Sequence, residues 1–206
     1  MKNNHFQETE IKFLIPDIKE FEKQLKEIGA VCHRARTHEM NFRFDTPDQH
    51  LTKSFQVLRL RHDQSVHLTY KGPSDPTSEV STRQEIEFEV SNLASARKFL
   101  EALGYQVSIA YEKYRTTYHL DNVEIMVDEL PYGNFIEIEG PDVSSIKRIA
   151  ATLKLDWQDR IQLGYLLIFD KLKDKFNLTA SNLLFSELIK CKYSMDELLL
   201  TIRNGK

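Results

Sequence analysis

Residues 8–15 read ETEIKFLI and alternate charged with apolar side chains as far as Leu14. Because successive side chains of a β-strand point to opposite faces, this period of two predicts a strand with one charged and one apolar face. A helix is expected next, since Asp17 and Glu20 have the spacing of a capping box and Gly29 stands where a helix usually stops. The apolar residues between them fall on one helical stripe: Ile18, Phe21, Leu25 and Ile28.

The same pattern returns 75 positions later, in residues 83–90 (RQEIEFEV) and in a second helical stripe that ends at Gly104. The residues that match without a gap are Glu10 with Glu85, Ile11 with Ile86, Phe13 with Phe88, Leu25 with Leu100, and Gly29 with Gly104. Self-similarity at a fixed spacing indicates an internal duplication, so we expect two similar halves.

Further alternating runs predict more strands, at residues 56–61, 66–71, 113–118, 123–128 and 135–139. Short Gly, Pro, Asp or Asn turns join them, which favours about eight antiparallel strands with helices on one side. The expected fold is α+β: a closed eight-stranded antiparallel β-barrel, or tunnel, with a charged lumen and helices packed outside.

Helical patterns dominate after Trp157, first through residues 163–169 and then in two short amphipathic helices within 180–204. We therefore expect a tunnel domain over residues 1–175 and a helical appendage over residues 176–206. Two roles for the appendage stay open, a homodimer interface and packing against the barrel.

One face of the predicted strands is charged almost everywhere, because residues i and i+2 of a strand share a face. Its cations are Lys12, Arg59, Arg61, Lys71, Arg83, Lys113 and Arg115. Its acids are Glu8, Glu10, Glu85, Glu87, Asp128, Glu137 and Glu139. The opposite, apolar face is the one that we expect the amphipathic helices to cover.

Two interpretations of the charged face are open. It is typical of the solvated side of a half-buried sheet. However, like charges stand in pairs along single strands, as in Glu8 with Glu10 and Arg59 with Arg61, and such pairs favour bound counter-charges. Converging carboxylates suit a hard divalent cation, and clustered Arg and Lys suit a polyphosphate. A face with both is suited to a metal-bound triphosphate.

The composition excludes several other classes of protein. The chain has 206 residues with 28 Lys+Arg against 31 Asp+Glu, and a net charge of −3 disfavours a dedicated nucleic-acid binder. An apolar fraction of 41% is ordinary for a globular protein. We expect no nucleic-acid or membrane partner and a cytoplasmic location, because we find no apolar run long enough for a membrane span.

Ordered motifs give the charged face a family resemblance. The motif Glu8-x-Glu10-x-Lys12 resembles the signature of the CYTH superfamily, the triphosphate tunnel metalloenzymes, which include class IV adenylyl cyclases and thiamine triphosphatases. The motifs that follow in order are residues 41–48 (NFRFDTPD), 58–61 (LRLR), 69–73 (TYKGP), 82–87 (TRQEIE), 113–115 (KYR), 128–129 (DE) and 133–139 (GNFIEIE). The resemblance spans about residues 6 to 170.

The resemblance implies a role for each lumen residue. The triphosphate would bind Lys12, Arg59, Arg61, Lys71, Arg83, Lys113 and Arg115, of which Lys12, Lys71 and Arg115 are the candidate catalytic residues. One or two Mg²⁺ or Mn²⁺ ions would bind Glu8, Glu10, Asp128, Glu137 and Glu139. Glu85 and Glu87 would orient cations, and a salt-bridge role for Glu87 is open.

The reaction stays open at this point. Residues 70–73 and 82–87 look like the cyclase branch, whereas residues 44–48 look like the triphosphatase branch. Hydrolysis needs no organised nucleoside pocket, so we favour a metal-dependent triphosphatase that acts on an inorganic, thiamine or nucleoside triphosphate. The alternatives are a class IV adenylyl cyclase that makes 3′,5′-cyclic AMP, and a non-catalytic polyphosphate-binding module.

Overall fold

The structure is a computed structural model that describes residues 7–75, 77–188 and 194–203. Its strands are β1 (Gln7–Ile15), β2 (Val31–Asp45), β3 (Val57–His62), β4 (Val66–Lys71), β5 (Ser81–Val90), β6 (Gln106–Leu120), β7 (Val123–Leu130) and β8 (Gly133–Glu139). Its helices are α1 (Ile18–Glu27), α2 (His50–Lys53), α3 (Leu93–Ala102), α4 (Val143–Thr152), α5 (Tyr165–Phe176), α6 (Phe185–Leu188) and α7 (Met195–Arg203). A short 3₁₀ turn follows α4 at Trp157–Asp159.

The strands close into one antiparallel barrel. Their order around the ring is β1-β5-β4-β3-β2-β6-β7-β8, and β8 returns to pair with β1. The closing pair aligns Lys12 with Glu137 and Glu10 with Glu139. The predicted α+β fold, a closed eight-stranded antiparallel barrel with helices outside, is confirmed.

The two halves of the chain repeat the same order of elements. Strand, helix and three strands occur as β1-α1-β2-β3-β4 and again as β5-α3-β6-β7-β8, with the short α2 between β2 and β3. Gly29 and Gly104 follow the helices of the two halves with φ angles of +86° and +91°. Only glycine adopts this left-handed conformation without strain, so each helix ends at the residue expected from the sequence.

Strand β2 was not among the runs predicted from alternation. Its first half is largely exposed, and its register with β6 shifts at Cys32/Arg34, Arg34/Thr37 and Arg43/Phe44. The two shifts before Thr37 interrupt the period of two in the first half of the strand, whereas Glu39, Asn41 and Arg43 alternate with apolar residues in a stretch that pairs with β6 without a shift. The barrel closes only because this irregular strand joins β3 to β6.

The apolar face of the sheet is covered unevenly. Ile11, Ile125 and Ile138 are fully buried in a core that includes residues of α1 and α4. The expectation that helices cover the whole face is wrong for β5, where Phe88 is 54% exposed and Ile86 is 36% exposed. Helix α3 packs on β3 instead, so the outer face of β5 stays open to solvent.

The C-terminal helices pack against the barrel through a second hydrophobic core. Leu198 of α7 and Leu172 of α5 are buried together, and Leu183 exchanges backbone hydrogen bonds with β6 at Ala110 and Glu112. A capping box starts α7, because the Ser194 N–H donates to Glu197 Oε2 at 2.7 Å and the Glu197 N–H donates to Ser194 Oγ at 3.2 Å. The domain boundary after residue 175 and the homodimer stay predictions. Within the described residues, no helix has the length and apolarity needed to cross a membrane.

Candidate active site

The inside of the barrel is ionic, as the alternation on β1 illustrates. Glu8, Glu10 and Lys12 are 6%, 4% and 4% exposed although they are charged, while Ile11 and Phe13 on the opposite face of the strand lie in the hydrophobic core with the helices. Buried charges are tolerated only when they are paired, and the lumen is accordingly full of ion pairs. One connected network joins Glu8, Glu10, Lys12, Lys71, Arg83, Glu85, Lys113, Arg115, Asp128 and Glu137.

Carboxylates concentrate where β1 meets β8. Glu10 lies opposite Glu139 in the strand register, and Glu8 and Glu137 stand two residues away on the same faces. Lys12 Nζ is 2.5 Å from Glu10 Oε1 and 3.1 Å from Glu137 Oε2. One lysine therefore serves two acids, and the group as a whole carries more negative than positive charge.

The pKa values of these acids reflect that imbalance. Burial, followed by repulsion from Glu8, Glu10 and Glu137, raises the pKa of Glu139 to about 8. Burial and then repulsion from Glu137 also raise the pKa of Glu10, although Lys12 opposes the shift. For Glu137, burial favours the neutral acid, but the attraction of Lys12 and Arg115 is stronger and lowers its pKa. Close to neutral pH, a proton or another cation is therefore favoured beside Glu139.

Lys71 and Arg83 hold the other end of this cluster. Lys71 Nζ lies 2.6 Å from Glu8 Oε1 and 3.2 Å from Glu85 Oε2. Arg83 reaches both Glu8, at 3.4 Å, and Glu10, at 3.8 Å. These cations come from β4 and β5, so the ring closure between β1 and β5 brings them to the acids of β1.

Asp128 on β7 is fully buried and surrounded by donors. Arg115 binds it in a bidentate manner at 2.6 Å and 2.6 Å, Lys113 Nζ donates at 2.9 Å, and the hydroxyl of Tyr165 donates at 2.7 Å. Burial alone would raise the pKa of Asp128, but Arg115 and Lys113 outweigh it and lower the pKa. Of the five predicted metal ligands, Asp128 is thus the one most committed to cationic side chains.

Arg59 and Arg61 form a separate group on β3. Both donate to Glu87, at 3.2 Å and 2.9 Å, and Arg59 also donates to the Thr69 hydroxyl at 3.2 Å. Glu87 therefore forms salt bridges with both arginines, which is the structural role that the sequence left open for it. The fourteen charged residues predicted from the sequence are thus gathered inside one barrel, although Arg59, Arg61 and Glu87 stand apart from the β1–β8 acids.

Several lumen residues were missed. Glu39, Asn41 and Arg43 share one face of β2, and Glu39 lies 3.6 Å from Lys113. Assignment of β2 as a strand would have identified them. No sequence signal points to Tyr165, which enters the barrel from α5 and places its ring 5.3 Å from both Lys12 Nζ and Lys113 Nζ.

The acids at β1 and β8 are suitable ligands for a hard divalent cation, but they are not already arranged around a metal position. Glu8, Glu10, Glu137 and Glu139 offer only oxygen donors, which Mg²⁺ and Mn²⁺ prefer, and their repulsion would be relieved by a cation. In the part of the chain that the structure describes, no three His, Cys, Asp or Glu side chains are already arranged to hold a metal ion. The oxygens of Glu8, Glu10 and Glu137 turn towards Lys12, Lys71 and Arg83, so metal binding would require these ion pairs to open.

Known proteins share both the family and the fold. The CYTH domain family matches residues 7–158. The chain is 30% identical over 135 residues to a Methanocaldococcus jannaschii protein named "Putative adenylate cyclase", an alignment that covers 64% of this chain and 75% of that protein.

Solved structures agree on the architecture. A Vibrio parahaemolyticus protein described as a "putative adenylate cyclase" superposes with a TM-score of 0.70 at 24% identity, over 80% of this chain and 98% of that chain. A Hippeastrum protein superposes with a TM-score of 0.60 at 18% identity, over 79% and 95% of the two chains, and is described as a "putative adenylyl cyclase" with a dominant triphosphatase activity. The closed barrel with a charged interior defines the class of tunnel-shaped CYTH proteins. The chain belongs to the CYTH family.

Proposed function

We propose that the protein is a divalent-metal-dependent phosphohydrolase that cleaves a triphosphate-containing substrate inside the barrel. The observation that carries this proposal is the cluster of mutually repelling carboxylates at β1 and β8, enclosed in one ionic network with the lumen cations. A solvated outer face would have no reason to bury such a cluster. A site for a cation and a polyanion explains the burial, because the cation would neutralise the carboxylates and the polyanion would neutralise the Lys and Arg side chains.

The cations of the lumen are assigned to the triphosphate. Guanidinium groups bind phosphate oxygens in a bidentate manner, and lysines act as point charges. The residues proposed to bind the triphosphate are Lys12, Arg59, Arg61, Lys71, Arg83, Lys113 and Arg115. Lys12, Lys71 and Arg115 are proposed as the catalytic residues, because each already pairs with an acid of the metal side and would stand nearest to the charge that develops on phosphoryl transfer.

The metal side is assigned to Glu8, Glu10, Glu137 and Glu139, with Asp128 as a further candidate. CYTH proteins are generally dependent on divalent metals, and we propose Mg²⁺ or Mn²⁺ here. When bound, such a cation supplies neutralisation of the phosphate oxygens and activation of the attacking nucleophile. The chain's own contribution is to hold the phosphates in place, to exclude bulk water and to align the leaving group with Lys12 and Lys71.

Hydrolysis is favoured over cyclisation on chemical grounds. A hydrolase needs only water at a terminal phosphorus, whereas a cyclase must hold the ribose 3′-hydroxyl in line with the α-phosphorus. The Hippeastrum protein of the same fold is described as a putative adenylyl cyclase with a dominant triphosphatase activity, which is compatible with hydrolysis in this barrel. Cyclisation of ATP to 3′,5′-cyclic AMP remains the second candidate, and the name of the 30% identical M. jannaschii relative favours it.

The test is incubation with ATP, thiamine triphosphate and inorganic tripolyphosphate, each with Mg²⁺ and with Mn²⁺. Phosphate, pyrophosphate and cyclic nucleotide are measured separately, with EDTA as the metal-free control. Phosphate release that requires a divalent metal supports the hydrolase, and cyclic AMP with pyrophosphate would favour the cyclase. Binding of tripolyphosphate without any turnover would leave only the non-catalytic module.

A further inference from the structure

Strand β2 places two polar side chains, Asn41 and Arg43, in the lumen, and the proposed function assigns no role to either of them. Asn41 is completely buried, and neither its Oδ1 nor its Nδ2 has a hydrogen-bond partner among the described residues. The amide is unpartnered whichever way it is turned, because both of its polar atoms lack a partner. Burial of an unpaired amide is costly, so its retention at a lumen position points to a bound group.

Arg43 lies two residues further on the same face and is nearly as isolated. Its Nη2 makes one long contact of 3.5 Å with the carbonyl of Gln56, and its Nε is buried without a partner. The described residues place no carboxylate within ion-pair distance of it. Burial lowers the pKa of Arg43 and the neighbouring Arg59 and Arg83 lower it further, although Tyr111 opposes the shift.

The strand register puts these residues directly against other cations. Arg43 is the cross-strand partner of Arg59, and Asn41 is the cross-strand partner of Arg61 on one side and Tyr111 on the other. Like charges that face each other across two strands destabilise a sheet. The Nε of Arg59 is also buried without a hydrogen-bond partner, whereas the Nε of Arg61 lies 3.5 Å from Asp63 Oδ2. Unused N–H donors of Arg43 on β2 and Arg59 on β3 therefore lie on facing strands of the lumen.

We propose that Asn41 and Arg43 bind the anionic substrate from β2 and complete a phosphate-binding subsite with Arg59 and Arg61. This inference rests on the proposed function, since it takes the substrate to be a polyphosphate. An anion placed there would separate Arg43 from Arg59, and its oxygens would accept hydrogen bonds from the guanidinium groups and the Asn41 amide. Asn41 and Arg43 are thus additional binding residues of the lumen, beyond the charged residues that the family motifs mark.

The decisive experiment compares stability with affinity in two variants, Asn41→Leu and Arg43→Met. Leucine has the same number and branching of side-chain heavy atoms as asparagine but no polar atoms, and methionine keeps the apolar stem of arginine without its charge. If the residues bind anion, both variants should be as stable as the unaltered protein or more stable, because an unpaired amide or an opposed charge is removed. Their affinity for inorganic tripolyphosphate, measured by calorimetry in EDTA, should fall by roughly 10- to 100-fold.

The matched control is Arg97→Met. Arg97 is half-exposed on α3 and pairs with Glu101, so its replacement removes one positive charge without touching the lumen. It should leave the affinity for tripolyphosphate within about twofold of the starting value.

Each result decides between binding and structure. An affinity within about twofold of the unaltered protein in either variant overturns the assignment of that residue, and a fall in thermal stability with unchanged affinity shows a structural role instead. The two proposals fail separately. If tripolyphosphate binds through Arg43 but neither it, ATP nor thiamine triphosphate is turned over with Mg²⁺ or Mn²⁺, the phosphohydrolase is contradicted and the subsite is upheld. If the unaltered protein does not bind tripolyphosphate, the subsite is overturned, while the phosphohydrolase is decided by the turnover test.

Discussion

Replacement of Glu139 by glutamine should make the metal-free protein more stable above pH 8. Glu139 is half-buried beside Glu8, Glu10 and Glu137, and burial together with repulsion from these acids raises its pKa to about 8 from the ordinary value of 4.5. Below pH 4.5 the folded and the unfolded chains are both protonated at this position, so glutamine changes little. As the pH rises towards 8, the unfolded chain gains from ionisation while the folded chain does not, and the native protein loses stability.

The size of the effect follows from the two pKa values. A rise from 4.5 to about 8 corresponds to at most about 5 kcal/mol of unfolding free energy, all of it lost above pH 8. Relaxation of the carboxylate towards solvent would leave roughly 2–3 kcal/mol of this. For a chain of this length, each kcal/mol moves the melting temperature by about 2–4 °C. We therefore expect Glu139→Gln to melt roughly 5–10 °C higher at pH 9 and at nearly the same temperature at pH 5.

The assay is thermal unfolding in EDTA between pH 5 and pH 9.5, with Glu101→Gln as the control. Glu101 lies on the outer helix α3 with its side chain 42% exposed, so its variant should follow the unaltered protein at every pH. A Glu139→Gln advantage that is the same at pH 5 and pH 9, or a variant that is less stable at pH 9, would refute the reasoning. Added Mn²⁺ should stabilise the unaltered protein and narrow the difference, since a cation relieves the same repulsion.

Three further substitutions test the proposed roles. Glu10→Gln should keep the fold, seen by circular dichroism, while metal-dependent turnover falls about 100-fold or more, and unchanged turnover would contradict its assignment as a ligand. Arg59→Ala should lower kcat/KM for the triphosphate by roughly 10- to 100-fold. Wild-type values for both affinity and rate would contradict the assignment of Arg59 to phosphate binding. Tyr165→Phe removes the hydrogen bond to Asp128 and should lower the unfolding free energy by about 1–2 kcal/mol in urea denaturation; no loss would show that this buried contact contributes nothing.

Much of the barrel can be predicted from patterns among residues that are close together in the sequence. The alternation in residues 8–15 and 83–90 reflects the opposite directions of neighbouring side chains in a strand, which any single strand obeys regardless of its partners. The offset of 75 between Gly29 and Gly104 likewise reports two equal halves, each with a helix that ends in a left-handed residue. Fold class, the charged lumen and most of its lining could therefore be predicted.

Strand β2 could be predicted only in part. Its register against β6 shifts at Cys32/Arg34 and Arg34/Thr37, which removes the period of two from its first half. Glu39, Asn41 and Arg43 lie in the unshifted stretch that follows, so their alternation with apolar residues could have assigned them to one face. A further limit applies to the outer surface, where the sequence pattern of β5 predicts a covered face but α3 packs on β3 instead.

The sequence by itself determined that this protein has strands with one ionic and one apolar face, arranged in two similar halves. Only the tertiary structure decided which charges meet: that Glu10 lies opposite Glu139, that Arg43 faces Arg59, and that Tyr165 reaches Asp128 from a distant helix. The physical reason is that side-chain alternation is a property of neighbouring residues, whereas strand register, ring closure and helix docking depend on packing between segments far apart in the chain.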